Sequence, residues 1–407
     1  MKRIYFDHSA TTKVDPEARE AMLPFLGENF GNPSSIHSFG QEAHTAVDNI
    51  RQVLADFLGS SPREIIFTGS ATEANNLALK GVLESFHRCT VCGVECPEKG
   101  RIPHLIVSQI EHHAVLDTAK HLEKQGYEVT FLPVDKNGLV SPQEVKNAIK
   151  ENTVLVSVMY INNEVGTVEP IAEIGEMLKA VNSERKNKNL RKVCFHTDAV
   201  QAIQYLDCRI DKLGVDLLSL TAHKFYGPKG VGALYIRQGM PLVRQMDGGW
   251  QECSLRAGTE NVAGIVGMGK ALEIGIRNQE SGIREKIEKL RDRLIEGVLK
   301  NVPKCELTGH PQKRAPHIAS FVIDGVEGES ILLMLDEKGV AASSGSACTS
   351  GVLEPSHVLL AMRIPVEKTH GSLRFSLGKD NTQEEVDYVV EILPEIVAKL
   401  RKMSPFK

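Results

Sequence analysis

Glu64-Ile65-Ile66-Phe67-Thr68-Gly69-Ser70-Ala71-Thr72-Glu73-Ala74-Asn75-Asn76 is the stretch on which the fold turns. Three apolar residues closed by Thr-Gly-Ser read as a short buried strand, and Ala74 to Phe86 follows with helical spacing. The same unit returns at Leu105-Ile106-Val107, followed by Ala114 to Gln125. Further strands are expected at Val129 to Leu132, Val154 to Met159, Val193 to His196, Leu217 to Leu220 and Gly232 to Ile236. Apolar runs of this kind belong to strands covered on both faces, so the expectation is an α/β fold built on a mostly parallel, seven-stranded sheet.

Past Asn261 the pattern changes. A long charged helical stretch, Val262 to Lys300, leads to sparser strands at Ile318 to Ile323 and Leu373 to Leu377. Thr382 to Leu400 regains helix period through Val386, Val389, Val390, Leu393 and Ile396. A length of 407 residues suits two domains. The expected division is a large domain over 16–262, with an insert at about 87–104, and a smaller α+β domain made of 1–15 and 263–407.

Composition excludes some functions. A formal net charge of −4 offers no field for nucleic acid or anionic membrane, which leaves a small molecule or a protein as the expected partner. No apolar run approaches the roughly 20 residues needed to span a bilayer, and Met1 to Thr12 lacks a signal-type apolar core, so the expected location is the cytoplasm. Eight cysteines are too few for a disulfide scaffold of this size and read as free thiols in a reducing compartment.

The polar turns that follow the strands carry the chemistry. Lys224, in Thr221-Ala222-His223-Lys224, sits where a strand enters a turn and suits an amine that forms a Schiff base. Asp198, just after Val193 to Phe195, suits a carboxylate that keeps a pyridine nitrogen protonated, and Gln201 shares its face if a helix starts there. Gly69 to Asn76 offers N–H groups and hydroxyls to a phosphate but follows neither a Walker nor a dinucleotide pattern. His112 and Asn163 lie in two further turns and suit a ring-stacking, proton-moving histidine and an amide on a ring hydroxyl. Ala342 to Gly351 is too small and polar to pack a core, so it reads as a mobile loop presenting Cys348 as a nucleophilic thiolate. Each of these residues also has an ordinary reading as a cap, a solvated turn or a surface thiol; their convergence on one rim is what favours a site.

Tyr5 to Thr12, Phe30-Gly31-Asn32-Pro33-Ser34-Ser35, Ala71-Thr72-Glu73, Glu111-His112, Asn162-Asn163-Glu164, Asp198 to Gln201, His223-Lys224 and Ser343 to Ser350 together resemble the NifS/IscS-type cysteine desulfurases, which are fold-type I pyridoxal-phosphate enzymes. The resemblance implies that Lys224 holds the cofactor, Asp198 pairs with its pyridine nitrogen, and His112 stacks on the ring and assists proton transfer. It implies that Asn163 and Gln201 contact the ring, that Ala71, Thr72, Thr221 and His223 hold the phosphate region, and that Arg374 grips the substrate carboxylate. Cys348, in a loop of the long class, becomes the persulfide. Thr259 reaches the phosphate of the other subunit, which implies a homodimer. The implied substrate is L-cysteine and the product L-alanine. The implied acceptor is an iron–sulfur scaffold or another sulfur carrier, including one for tRNA thiolation, and the handover role also permits Cys348 to ligate a cluster.

Two departures stand out. The family commonly reads Gly-Gly-Gly-x-Glu-Arg-Gly where this chain has Gly248-Gly249-Trp250-Gln251-Glu252-Cys253-Ser254. The insert carries Cys89, Cys92 and Cys96, with His87 or His104 nearby as a fourth ligand for zinc or an iron–sulfur cluster; a disulfide and free surface thiols remain open alternatives. The rival readings are a selenocysteine lyase, which shares the cofactor chemistry, and a non-catalytic sulfur or metal scaffold.

Overall fold

A computed structural model describes residues 3–87, 102–345 and 355–403. Twelve strands occur among them: β1 Ile4–Tyr5, β2 Ile65–Thr68, β3 His104–Ser108, β4 Glu128–Leu132, β5 Thr153–Ser157, β6 Cys194–Asp198, β7 Leu217–Thr221, β8 Gly232–Ile236, β9 Cys305–Leu307, β10 Ile318–Ile323, β11 Val340–Ala341 and β12 Ser372–Ser376. The main sheet runs β2-β8-β7-β6-β5-β3-β4, and only β8 is reversed. The seven strands expected from the apolar runs are the seven of this sheet. Helices Ala71–His87, His113–Lys124 and Ile171–Asn187 connect successive strands.

A second sheet, β12-β10-β9, is antiparallel, and β1 pairs in parallel with β11. Their apolar core gathers Ile4 and Phe6 with Leu294, Phe321, Phe375, Val389 and Leu393. Tyr205 is the one member of that core drawn from between Phe6 and Ile287. The helical stretch after Asn261 is two helices, Val262–Glu280 and Ile283–Asn301, not one. Gly282 divides them at φ 77°, a left-handed conformation that costs glycine nothing and other residues about 1–2 kcal/mol. None of the helices among the described residues is long and apolar enough to cross a membrane.

Buried titratable groups tie stability to pH. Burial, the largest cause in each case, lowers His196 to about 3 and His8, His104, His223 and His357 to about 4, from 6.5. An unfolded chain takes up protons that this fold refuses, so stability falls as pH drops from 6.5 toward 4. Glu111 and Glu164, raised by burial to about 8 and about 7, act oppositely: the fold loses stability as pH climbs from 4.5 through those values. The histidines outnumber the carboxyls where the two windows overlap. The melting temperature is therefore expected to drop by several degrees from about pH 6.5 to about pH 5; calorimetry showing a flat profile there contradicts these protonation states.

Candidate active site

The six parallel strands end on one side of the sheet, where ligands of such folds bind. Lys224 closes a single 3-10 turn, Ala222–Lys224, directly after β7. Its Nζ donates to the carbonyls of Ser9 and Ala10, the latter at 2.8 Å. The turn is clasped by the N-terminal segment: Thr12 Oγ1 donates to the His223 carbonyl and accepts from Tyr226 N, and His223 Nδ1 meets Thr11 Oγ1 at 3.2 Å. Ser9, Ala10, Thr11 and Thr12 thus belong to the lysine's environment. Their only sequence signal was the family-like run Tyr5 to Thr12, since a contact across more than 200 residues leaves no periodicity.

Asp198 ends β6 and is buried. Its Oδ2 accepts from Asn75 Nδ2 at 2.7 Å and its Oδ1 from Val200 N at 3.0 Å. Asn75 is fully buried, not solvent-facing as a cap reading of its turn would have it. Its position one helical turn before the buried Leu79 was the available signal. Gln201 does not share a helix with Asp198, because turns occupy 200–205. It lies at the same edge, buried, with Nε2 donating to the Ser9 carbonyl at 3.0 Å.

At the β2 end, Ser70 caps the helix: Ser70 Oγ accepts from Glu73 N at 3.1 Å while Glu73 Oε2 accepts from Gly69 N at 2.7 Å. Ala71 and Thr72 form the first turn, with Thr72 exposed and first-turn N–H groups that have no intrahelical partner. Thr221 is buried and donates to the Val231 carbonyl at 2.9 Å. Gly232 lies opposite, so close to Leu220 O and Ser70 C that a Cβ would sit 2.8 Å from each. Thr259 is exposed, and nearby Arg256 pairs with Glu73 at 2.8 Å. Between Trp250 and Arg256, Glu252, Cys253 and Ser254 hold φ of 46°, 56° and 64°. Ser254 stands at the family's glycine position in a conformation that favours glycine.

His112 caps the helix His113–Lys124, its Nδ1 accepting from Ala114 N at 3.1 Å. Burial, opposed by Asp198 and seconded by Lys224, holds it below its ordinary value, so it is neutral near pH 7. Asp198 and Lys224 both act electrostatically on His112.

Arg374 occupies the middle of β12, 4 % exposed. Nη1 donates to the Asn163 carbonyl at 2.8 Å and Nη2 to Asp7 Oδ1 at 2.9 Å, while buried Nε has no partner. Asn162 builds the turn that positions Asn163, its Oδ1 accepting from Glu164 N and Val165 N. Ser343 bridges to Arg374 through two backbone bonds, and Ser356 Oγ donates to Glu164 Oε2. Both flanks of the serine-rich loop are therefore anchored beside Arg374. Cys348 itself lies outside the described residues, as do Cys89, Cys92 and Cys96. His104 is not a fourth metal ligand for them: both its ring nitrogens are engaged inside the sheet, by Thr153 Oγ1 at 2.7 Å and Thr130 Oγ1 at 2.8 Å.

An amine, a braced carboxylate, a helix N-terminus and an arginine with an orphaned buried N–H fit an anionic aromatic cofactor together with a carboxylate substrate. Residues 4–389 match the family described as Aminotransferase class-V. The chain is 52 % identical to the protein named cysteine desulfurase IscS from Methanosarcina thermophila, across 99 % of this chain and 94 % of that relative. A solved NifS-like protein is similar at TM-score 0.87 and 37 % identity, with 98 % of this chain and 100 % of that chain covered. SspA in complex with cysteine is similar at TM-score 0.76 and 33 % identity, with 94 % and 100 % covered.

Proposed function

As a member of the aminotransferase class-V family, to which it belongs, the chain is a pyridoxal-phosphate-dependent cysteine desulfurase, and we propose that Lys224, His112, Asp198, Arg374 and Cys348 carry its reaction. The observation that supports these assignments most is the placement of Asp198, Lys224 and His112 at or just after the ends of β6, β7 and β3 of one sheet, with Asp198 and Lys224 both acting electrostatically on His112. When bound, pyridoxal phosphate supplies a ring that stores the electron pair left behind as the substrate α-proton departs. Lys224 Nζ attaches the cofactor and then carries that proton. Asp198, oriented by Asn75, would face the ring nitrogen; Asn163 and Gln201 would contact the ring, and Ala71, Thr72, Thr221 and His223 would hold the phosphate. His112, neutral, assists proton transfer. The Cys348 thiolate attacks the substrate sulfur: an S–S bond forms, the C–S bond breaks, carbon keeps the pair, and protonation there yields alanine. Cysteine sulfur thus ends as a persulfide on Cys348.

Arg374 binds the substrate carboxylate in this scheme. Asp7 and the Asn163 carbonyl fix its planar fork before substrate arrives, so little ordering remains to be done on binding. Arg374→Lys keeps the charge and loses the fork. KM for cysteine is expected to rise about 10–100-fold, corresponding to one charged hydrogen bond of about 1.5–3 kcal/mol. Steady-state kinetics giving an unchanged KM removes Arg374 from the substrate site.

Residues 16–262 are proposed as the cofactor-binding domain, with 1–15 and 263–407 as the second; the core around Phe321 and Phe375, drawn almost wholly from the latter ranges, supports that division. A cytoplasmic homodimer is proposed, with Thr259 of the partner subunit completing the phosphate site. The exposure of Thr259 and of the large apolar residues Phe30, Ile36 and Trp250 supports it. An iron–sulfur scaffold is the proposed sulfur acceptor. The deciding experiment supplies the loaded enzyme with cysteine or selenocysteine and follows alanine, persulfide and released selenium. Alanine with persulfide from cysteine is expected; turnover of selenocysteine alone makes it a lyase, and no alanine from either leaves a scaffold.

A further inference from the structure

Ser9, Gln201, His317 and Tyr205 form a buried polar chain that ends on Lys224. The Ser9 carbonyl receives both Gln201 Nε2 and Lys224 Nζ, each within 3.0 Å. A carbonyl only accepts, so this contact decides which end of the Gln201 amide is nitrogen. Gln201 Oε1 then faces His317 Nε2 at 3.2 Å, and that nitrogen must carry the proton. The other ring nitrogen, Nδ1, is buried without a partner. Burial, with His8, Arg374, Arg291 and Lys224 all adding in the same sense, holds His317 well below its ordinary value, so the ring is neutral with one N–H.

The ring has no freedom to turn that N–H elsewhere. Tyr205 stacks on it with centroids 4.2 Å apart and planes inclined by 18°. The His317 carbonyl accepts from Leu377 N at 2.8 Å, fixing the backbone one residue before β10. His317 belongs to the segment leading into the second sheet, while Gln201 stands at the edge of the first. The His317 hydrogen bond thus joins the Ser9 carbonyl in setting the orientation of an amide that shares that oxygen with Lys224.

We propose that His317 is a positioning residue: by occupying Gln201 Oε1 it makes Gln201 a hydrogen-bond donor toward the cofactor and so sets the proton affinity of the lysine nitrogen that carries it. This rests on the reading of Gln201 as a cofactor contact. A donor stabilises the anionic form of the cofactor's phenolic oxygen and weakens that oxygen's hold on the neighbouring proton, so the nitrogen releases its proton at lower pH. A reversed amide would present oxygen to oxygen and act in the opposite sense.

The test is a pH titration of the visible absorbance of the loaded enzyme. His317→Phe is expected to raise the midpoint by roughly one unit, a tenfold change in proton affinity. His317→Gln, which restores an N–H, stays near the wild-type midpoint. Gln201→Leu raises the midpoint similarly, and His317→Phe adds nothing on top of it, the mark of two residues acting through one contact. A wild-type midpoint in His317→Phe with the cofactor bound and coloured overturns the proposal. Should that variant not fold, imidazole nitrogen chemical shifts of the wild-type protein decide instead: a neutral Nε2–H ring supports it, and an Nδ1–H ring or an imidazolium overturns it. A wild-type protein that takes up no coloured cofactor sinks the functional reading itself, whereas colour without a shift sinks only the role of His317.

Discussion

Lys224→Ala is expected to lower alanine formation from cysteine by about 10⁴-fold or more, because one side chain both attaches the cofactor and carries the α-proton. Its surroundings prepare it for both tasks. Nζ is held between two uncharged acceptors, the Ser9 and Ala10 carbonyls, at the end of a turn clasped by Thr11 and Thr12. Lys224→Arg is expected to fail equally, since a guanidinium keeps the positive charge but never gives up a proton to act as a nucleophile. In both variants Asp198 and the first turn at Ala71 remain, so cofactor is retained without a covalent link. Borohydride reduction followed by mass spectrometry should add the cofactor's mass to the wild-type chain and not to either variant. Turnover in Lys224→Ala within tenfold of wild type would remove the lysine from the mechanism.

The main sheet was legible because its strands are buried on both faces and must therefore be apolar throughout; Ile65 to Phe67 and Leu217 to Leu220 announce themselves without any long-range information. β9 was not, since Cys305-Glu306-Leu307 is short and half-exposed at a sheet edge, where composition carries little constraint. The break at Gly282 was hidden by helical spacing that resumes at once on its far side. Among site residues, Lys224, Asp198 and His112 stand at strand ends, where a parallel sheet collects polar groups, and a reading of turns finds them. Asn75 and His317 pair with residues 116 to 123 positions distant in sequence; the spacing to Leu79 marks Asn75 only as inward-facing, and nothing local distinguishes His317 from a core histidine. The N-terminal clasp on the lysine turn is the same case: a contact made only once the chain has folded back.

Cys348→Ala carries the second large effect, and it separates the two halves of the chemistry. In the proposed scheme the substrate carboxylate is placed by Arg374, whose backbone N–H and carbonyl both pair with Ser343. Gly345 N reaches Ser372 Oγ at 3.3 Å, and on the other flank Ser356 Oγ is bonded to Glu164, in the turn that also supplies the Asn163 carbonyl to Arg374. Cys348 is three residues beyond Gly345 in sequence and lies outside the described residues. Among the described cysteines, burial pushes Cys194 and Cys305 up to about 12 and raises Cys208 in the same sense, leaving these three as inert thiols near pH 7, while Cys253 is exposed. Cys348→Ala is therefore expected to abolish persulfide and alanine formation while cofactor absorbance and its change on adding cysteine persist, because Lys224, Asp198 and Arg374 are untouched. Cys348→Ser gives the same result, an alcohol being too weak an acid to supply the anion near pH 7. Stopped-flow spectra with cysteine, read beside a persulfide assay, test this directly; persulfide appearing at wild-type rate in Cys348→Ala would place sulfur transfer on another thiol.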